Sequence, residues 1–478
     1  MSKHTYSFLE QAAARWGSST AILEKDRKIS FKQLHESALH LGSELKTLAN
    51  AQGKGIAFVC GNSSRFVSGL FGCIKAGAVA MPVLPGTHGN EIEKLLQESS
   101  INIILAEKGS RFAFSIPIIK VSVDDEFDLY TFPELIPRNI ELVFPGAAFI
   151  RPSSGTTGNS KGVVISHLAV FERTAAANEG LLLDENTRML WVLPMSFHFI
   201  VSVLLYVRYG VCMIITDHFT ASEIVNKANK FHATHLYASP LHYRLLAAEK
   251  SEIKFESLQT AISTSALLEP SVSKIFFEKY AIRASQAYGI IEIGLPFINH
   301  ESENKYSESI GHALPAYTAA ILDGNFQEVP SGIQGAFAIK GPGMFSGYLW
   351  PVQKMEDVLI NGWFLTGDIA EMDSDGFVFI KGRSKSMINV SGNKVFPEEV
   401  ESILKMHEVV EDARVFGGSH PVTGELVEAD IVLKPNATGN AEELITHCRE
   451  YLVPYKIPQR IYFVDQIQKT KTGKISRA

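Results

Sequence analysis

Eleven consecutive positions, Ser153-Ser154-Gly155-Thr156-Thr157-Gly158-Asn159-Ser160-Lys161-Gly162-Val163, combine hydroxyls, glycines and one cation directly after an apolar run, Ala147 to Ile150. Glycine lets a backbone bend and approach an anion closely. Hydroxyls and backbone N–H groups donate to phosphate oxygens, and a lysine adds a point charge. The pattern reads as a phosphate-binding loop. It differs from the Walker sequence, which needs four residues between its first Gly and Gly-Lys. Three other segments carry chemistry of their own. Tyr288-Gly289-Ile290-Ile291-Glu292 places an aromatic ring near a carboxylate, and Gly362-Trp363-Phe364-Leu365-Thr366-Gly367-Asp368 ends on an Asp in a Gly turn. A carboxylate is a good bidentate acceptor for a diol. The tail, Lys469-Thr470-Lys471-Thr472-Gly473-Lys474-Ile475-Ser476-Arg477, is basic. Each of these alone has a bland reading: a core Tyr with a solvated Glu, an Asp in a common turn, a frayed basic terminus.

Taken in order, these segments resemble the motifs of the adenylate-forming superfamily, which includes acyl- and aryl-CoA synthetases, luciferase and peptide-synthetase adenylation domains. The resemblance covers nearly the whole chain. It implies that Ser153, Ser154, Gly155, Thr156, Thr157, Gly158 and Lys161 bind the phosphates of ATP. Tyr288 and Gly289 then border the adenine, and Glu292 holds Mg²⁺. Ser265 and Ala266, in Ser263-Thr264-Ser265-Ala266-Leu267-Leu268, belong to the small-residue turn beside adenine and the acyl pocket. Asp368 takes the ribose hydroxyls, and Arg383, 15 residues on, reaches the ribose or phosphate. Lys385 falls at the hinge, with Ser386 where relatives carry an acid. Gly392 and Asn393 fall in the loop of the thiol tunnel, and Lys474 is the lysine bridging carboxylate and α-phosphate. Three departures stand out: Ser160 replaces a Pro, Gln468 replaces a Pro, and Ile291 replaces the Thr whose hydroxyl touches the α-phosphate. Losing one such donor where charge builds up can cost a few kcal/mol.

The same resemblance implies a carboxylic acid as substrate. Amino-acid-activating domains place an Asp in a Phe-Asp-x-Ser element, because a buried ammonium needs an anionic partner. Here the corresponding stretch is Leu193-Pro194-Met195-Ser196-Phe197-His198-Phe199-Ile200-Val201, with no acid. His198 is then expected to gate or position the acyl carboxylate, with Ile200, Thr264 and Leu295 in the pocket wall. A lone His is otherwise more often a packed core residue. The expectation is an AMP-forming ligase for an aryl or short-to-medium acyl acid without a free α-amino group, using ATP, Mg²⁺ and CoA. Alternatives are a stand-alone ligase that loads a phosphopantetheine carrier protein in secondary metabolism, an amino-acid adenylation enzyme, a luciferase, and a nucleotide binder without turnover.

The elements that must hold these motifs read as follows. Strands at Gly55 to Cys60, Ala78 to Val83 and Ile101 to Ala106 alternate with helices at Arg65 to Ala76 and Glu91 to Glu98. Such alternation implies parallel sheet covered by helices. Ala319 to Leu322, Gly335 to Lys340 and Gly376 to Ile380 are strand-like pieces between Gly and Pro turns. Beyond Gly382-Arg383-Ser384-Lys385 a new α+β unit begins, with a helix Pro397 to Met406, strands Asp412 to Phe416 and Glu428 to Leu433, and a helix Ala441 to Leu452. The fold class expected is α/β. A large N-terminal domain, residues 1–382, would hold two doubly wound lobes and a β-barrel-like subdomain, and a small mobile α+β domain, residues 383–478, would follow. The length of 478 residues suits two to four domains at roughly 150 each.

With 45 Lys and Arg against 51 Asp and Glu, the net charge is −6, which argues against a nucleic-acid partner. Cys60, Cys73, Cys212 and Cys448 are scattered, with no zinc or disulfide spacing, as in reduced cytoplasmic proteins. The stretch Phe197 to Thr216 approaches the roughly 20 residues of a membrane span, but Arg208 within it is expensive in lipid. It reads as buried core, so no transmembrane segment is expected, and the first 20 residues carry no signal-peptide pattern. The chain is expected to be a monomer or homodimer.

Overall fold

The structure is a computed structural model describing residues 3–152, 161–216, 220–301, 306–390, 393–420, 424–469 and 475, without the side chains of Lys385 and Lys394. Ser153, Ser154, Gly155, Thr156, Thr157, Gly158, Gly392 and Lys474, all expected to be site residues, lie outside these residues. Contacts divide the chain into two compact units. The first holds the chain up to the phosphate loop, Lys161–Thr318 and Lys340–Leu359. The second holds Ala319–Ile339 and the chain from Ile360 onward.

Two large sheets build the first unit. One runs in the order Gly294–Asn299, Ala284–Ile290, Thr260–Ser263, His235–Ala238, Arg188–Trp191, Cys212–Ile215, Thr20–Glu24, Arg27–Ser30. Its six inner strands are parallel and its two edges are antiparallel hairpins. The other has Ala147–Pro152, Val79–Val83, Gly55–Val59 and Ile103–Glu107 as its parallel centre. The centre is buried on both faces, as continuous apolar strands require: every residue of Gly55–Val59 and Val79–Val83 is buried. The helix Ser64–Lys75 between them starts on a Ser63 side chain that accepts from Phe66 N. Such a cap satisfies one of the first turn's orphan donors.

The stretch expected as buried core is that. It comprises the short helix Met195–His198, a π-helical turn Phe199–Leu204, the helix Leu205–Tyr209 and the strand Cys212–Ile215. Arg208 is accommodated by donating to Phe171 O at 2.7 Å and Thr174 Oγ1 at 2.6 Å. Among the described residues no helix is long and apolar enough to cross a membrane. All four cysteines are free and buried.

In the second unit the β-rich piece is a four-stranded sheet, Thr318–Leu322, Gly335–Lys340, Phe364–Met372, Val378–Arg383. The last strand starts two residues later than expected. Asp373 Oδ1 accepts from Asp375 N at 3.0 Å and from Phe377 N at 2.9 Å, which keeps Gly376 in the turn. The helix Pro397–Met406 matches its predicted bounds. The strands Val410–His420 and Gly424–Leu433 run longer than expected and pair antiparallel along their length.

Candidate active site

The sharpest cluster lies at the end of the phosphate-loop segment. The strand Gly162–Ser166 follows Lys161 and pairs with Gly347–Leu349, with Val163 opposite Tyr348. That register sets the Tyr348 ring beneath the Lys161 ammonium, 4.1 Å from the ring centroid. The Tyr348 hydroxyl donates to Glu292 Oε1 at 3.1 Å. One buried ring thus ties the loop lysine to the carboxylate of the Tyr-Gly motif. Burial, reinforced by the Glu292 charge, pushes the Tyr348 hydroxyl well above its ordinary pKa, so it remains a donor.

Glu292 sits in the turn between Ala284–Ile290 and Gly294–Asn299. The motif glycine has a packing reason: a Cβ on Gly289 would lie 2.6 Å from Gly294 O across the hairpin. The turn is pinned from below by Arg173, which is 1 % exposed. Its guanidinium donates to Ile291 O at 2.9 Å, Glu292 O at 3.4 Å and Gly343 O at 2.9 Å. Phe345 N donates to Glu292 O at 2.8 Å. Arg151, at the end of the strand Ala147–Pro152, is a second buried guanidinium. Its Nε donates to Phe197 O at 3.2 Å, and it stacks 4.5 Å from the Phe197 ring. Burial pulls Arg151 down to about 9 and Arg173 down to about 10, the Glu292 charge opposing in both. Both stay cationic at neutral pH. Two buried cations within electrostatic reach of one carboxylate give this end of the sheet a field that favours anionic ligands.

Mg²⁺ is usually held by one or two carboxylates plus substrate phosphates. Among the described residues no three His, Cys, Asp or Glu side chains form a cage. A single half-buried carboxylate, Glu292, beside the loop lysine fits an ion shared with ATP phosphates.

A second cluster surrounds the Phe-His element. His198 stands edge-on to Trp191, ring centroids 6.5 Å apart. Trp191 stacks on Tyr237 at 6.1 Å and 6°. Tyr237 and Thr264 are hydrogen-bonded through their side chains. His198 and Thr264 are therefore joined through two rings. Ile200 and Leu295 are both buried, on segments that pack together. Ser265 takes a left-handed backbone, φ 76°, and Gln286 secures the turn by donating to Ala266 O and accepting from Leu268 N. Tyr288 is half-buried and meets Phe297 edge-on at 6.1 Å.

In the second unit, Asp368 and Arg383 face each other across an antiparallel pair. Arg383 Nε donates to Asp368 Oδ1 at 2.7 Å. Lys385 lies in a 3₁₀ turn, Ser384–Ser386, and Asn393 Nδ2 donates to Val390 O at 3.2 Å. Sequence reasoning missed Tyr348, Arg173, Arg151, Trp191 and Tyr237. Tyr348, Arg173 and Arg151 act through partners tens to hundreds of residues away, Trp191 and Tyr237 meet across 46, and no local pattern marks them.

Comparison with known proteins gives a consistent answer. The family described as AMP-binding enzyme matches residues 9–349, and its C-terminal domain matches residues 399–474. The chain belongs to the AMP-binding enzyme family, as the resemblance to adenylate-forming enzymes implies. A long-chain-fatty-acid–CoA ligase of Yersinia pestis is 28% identical over 519 residues, covering 98% of this chain and 92% of that protein. The fatty acid–[acyl-carrier-protein] ligase ScoC of Streptomyces coeruleorubidus is 28% identical over 485 residues, covering 96% and 92%. Among solved structures, ATP-bound MatB from Rhodopseudomonas palustris superposes with a TM-score of 0.86 at 22% identity, covering 100% and 98%. MenE from Bacillus subtilis with AMP gives 0.85 at 21%, covering 98% and 97%. These two establish the shared fold, a large N-terminal and a small C-terminal α/β part.

Proposed function

We propose that this protein is an AMP-forming acid–thiol ligase in the cytoplasm. A substrate carboxylate oxygen attacks the α-phosphorus of ATP, the bond to the β,γ-pyrophosphate breaks, and acyl-AMP forms. A thiol then attacks the acyl carbon, AMP leaves, and the thiol proton passes to solvent. The observation that carries this reading is the Lys161–Tyr348–Glu292 cluster beside the Arg173-pinned turn. Two anions must meet in the first step, so cations must surround them. Lys161 and Lys474 serve the phosphates and the attacking carboxylate, and Arg151 adds to the local positive field. Bound Mg²⁺ supplies charge neutralisation on the phosphates, and Glu292 is the residue that would hold it. Tyr288, Ser265 and Ala266 border adenine; Asp368 and Arg383 serve the ribose. His198 positions the acyl carboxylate, with Ile200, Thr264 and Leu295 in the acyl wall. Residues 383–478 turn about Lys385 between the two half-reactions, bringing Gly392 and Asn393 to the thiol.

The acid is an aryl or acyl acid without a free α-amino group. The absence of any acidic residue from Leu193 to Val201, where the ammonium partner would stand, supports this. CoA is the acceptor in the first reading. The likeness to ScoC, over 96% of this chain, favours a second reading in which an acyl carrier protein accepts. The test is to follow the two halves separately, with CoA and a holo carrier protein as acceptors. Lys474→Ala should abolish acyl-AMP formation yet leave thioester formation from supplied acyl-AMP largely intact. Equal loss in both halves would remove Lys474 from its role.

A further inference from the structure

His198 stands at a joint in an irregular segment. The helix Met195–His198 is only 4 residues long, and the π-helical turn Phe199–Leu204 follows it directly. His198 itself has φ −124° and ψ 19°, outside the helical region, and Val201 is non-helical inside the turn. A helix so short is not held in place by its own hydrogen bonds. Within Met195–Ile200, Phe197 and His198 are half-buried and the other residues are buried.

Partners from outside fix this segment. It follows the strand Arg188–Trp191 of one sheet, and the partners come from the other. Asn62 lies between the strand Gly55–Val59 and the helix that Ser63 caps, so capping does not call on its amide. Asn62 Nδ2 donates to Leu193 O at 2.8 Å, and its Oδ1 accepts from Met195 N at 2.8 Å. Pro194, between those two groups, has no N–H to offer. Met195 N belongs to the first turn of its helix, where backbone donors need partners from elsewhere. Arg151, near the end of the strand Ala147–Pro152, takes the next point along the chain. Its Nε donates to Phe197 O at 3.2 Å, its guanidinium stacks 4.5 Å from the Phe197 ring, and its Nη1 donates to Pro152 O at 3.5 Å. The anchored groups, Leu193 O, Met195 N and Phe197 O, run up to the residue before His198. Asn62 and Arg151 both stand at the C-terminal ends of parallel strands, where α/β sheets bind their ligands.

We propose that Asn62 and Arg151 are positioning residues for acid activation: together they hold the main chain ahead of His198 so that its ring meets the substrate carboxylate. The proposal rests on the reading of His198 as the group that positions that carboxylate. Neither Asn62 nor Arg151 has to touch the acid. A reacting group displaced by about 1 Å, through a change away from the chemistry, can lose about 100-fold in rate. The Asn62 amide supplies a donor and an acceptor at fixed spacing, and the Arg151 guanidinium supplies a plane that stacks while it donates, which a lysine cannot reproduce.

The test is ATP–pyrophosphate exchange, with the acid that the unaltered enzyme activates best, in double-mutant cycles with His198→Ala. Asn62→Ala should lower kcat/KM for the acid by roughly 10–100-fold and leave thioester formation from supplied acyl-AMP largely intact. Asn62→Asp keeps the acceptor for Met195 N, loses the donor for Leu193 O, and should show the same split between the two halves. Arg151→Lys keeps the charge, loses the stacked plane, and should raise the KM of the acid more than that of ATP. In the His198→Ala background each substitution should cost less than about twofold, because the group they position is gone. Thermal melts identify the folded variants, and Asn62→Asp and Arg151→Lys carry the test where Asn62→Ala does not fold. Full-sized losses that persist in the His198→Ala background, or losses equal in both half-reactions, would overturn the proposal while leaving His198 in its role. A folded His198→Ala enzyme with unchanged acid kinetics would overturn the reading of His198 and the proposal with it.

Discussion

Tyr348 is the most informative residue to change, because one substitution separates its two contacts. Tyr348→Phe removes the hydroxyl that donates to Glu292 Oε1 at 3.1 Å and keeps the ring beneath Lys161 at 4.1 Å. A hydrogen bond to a charged group contributes about 1.5–3 kcal/mol, and each 1.4 kcal/mol is about a factor of ten. Loss of a group that orients a metal-binding carboxylate typically costs about 10–100-fold in metal affinity. The Mg²⁺ concentration giving half-maximal ATP–pyrophosphate exchange should therefore rise by roughly 10–100-fold, with the KM of the acid little changed. Tyr348→Leu should add a rise in the KM of ATP. The cation–ring contact it also removes contributes about 0.5–2 kcal/mol, or roughly 2–30-fold. A folded Tyr348→Phe enzyme with unchanged Mg²⁺ dependence would refute the assignment of Glu292 as the ion's carboxylate.

Two other outcomes follow from the same structure. Burial lowers His167 to about 3 and His242 to about 4, against 6.5 in an unfolded chain. The unfolded state therefore binds more protons below pH 6.5, and stability falls as pH drops from 7 toward 4. At pH 5.5 each histidine should contribute a loss of about 1.4 kcal/mol, read as a lower urea midpoint; a midpoint unchanged between pH 7.5 and 5.5 would contradict this. Ile291 is half-buried in the turn whose carbonyl Arg173 holds. Ile291→Thr should speed single-turnover acyl-AMP formation by about tenfold or more if the family hydroxyl is missed. An unchanged rate would mean that another donor already fills that place.

Much of the fold was legible because burial on both faces leaves continuous apolar strands, as at Gly55–Val59 and Val79–Val83. The helix Pro397–Met406 was legible to the residue, because Pro suits its first position and acids follow in its first turn. The strand ending at His420 was underestimated. Its Gly417-Gly418-Ser419-His420 end has no apolar alternation and extends only because Gly424 to Val427 pair with it. The motif residues were legible from order and spacing. Their supports were not: Tyr348 reaches Glu292 across 56 residues, and Arg173 reaches Gly343 across 170. Contacts of that span are set by sheet register and helix packing, which leave no local signature. The buried aromatic cluster escaped notice for the same reason. Trp191, Tyr206 and Tyr237 read as ordinary core until their rings are seen to meet.

The central claim, activation of a carboxylic acid by adenylation, is tested most directly by ATP–pyrophosphate exchange over a panel of benzoic, cinnamic, fatty and amino acids. The account predicts exchange that depends on Mg²⁺ and on an acid lacking an α-amino group, with acyl-AMP recovered from the reaction. Exchange supported by amino acids alone would contradict the reading of His198, and no exchange with any acid by protein that binds ATP would contradict the account as a whole.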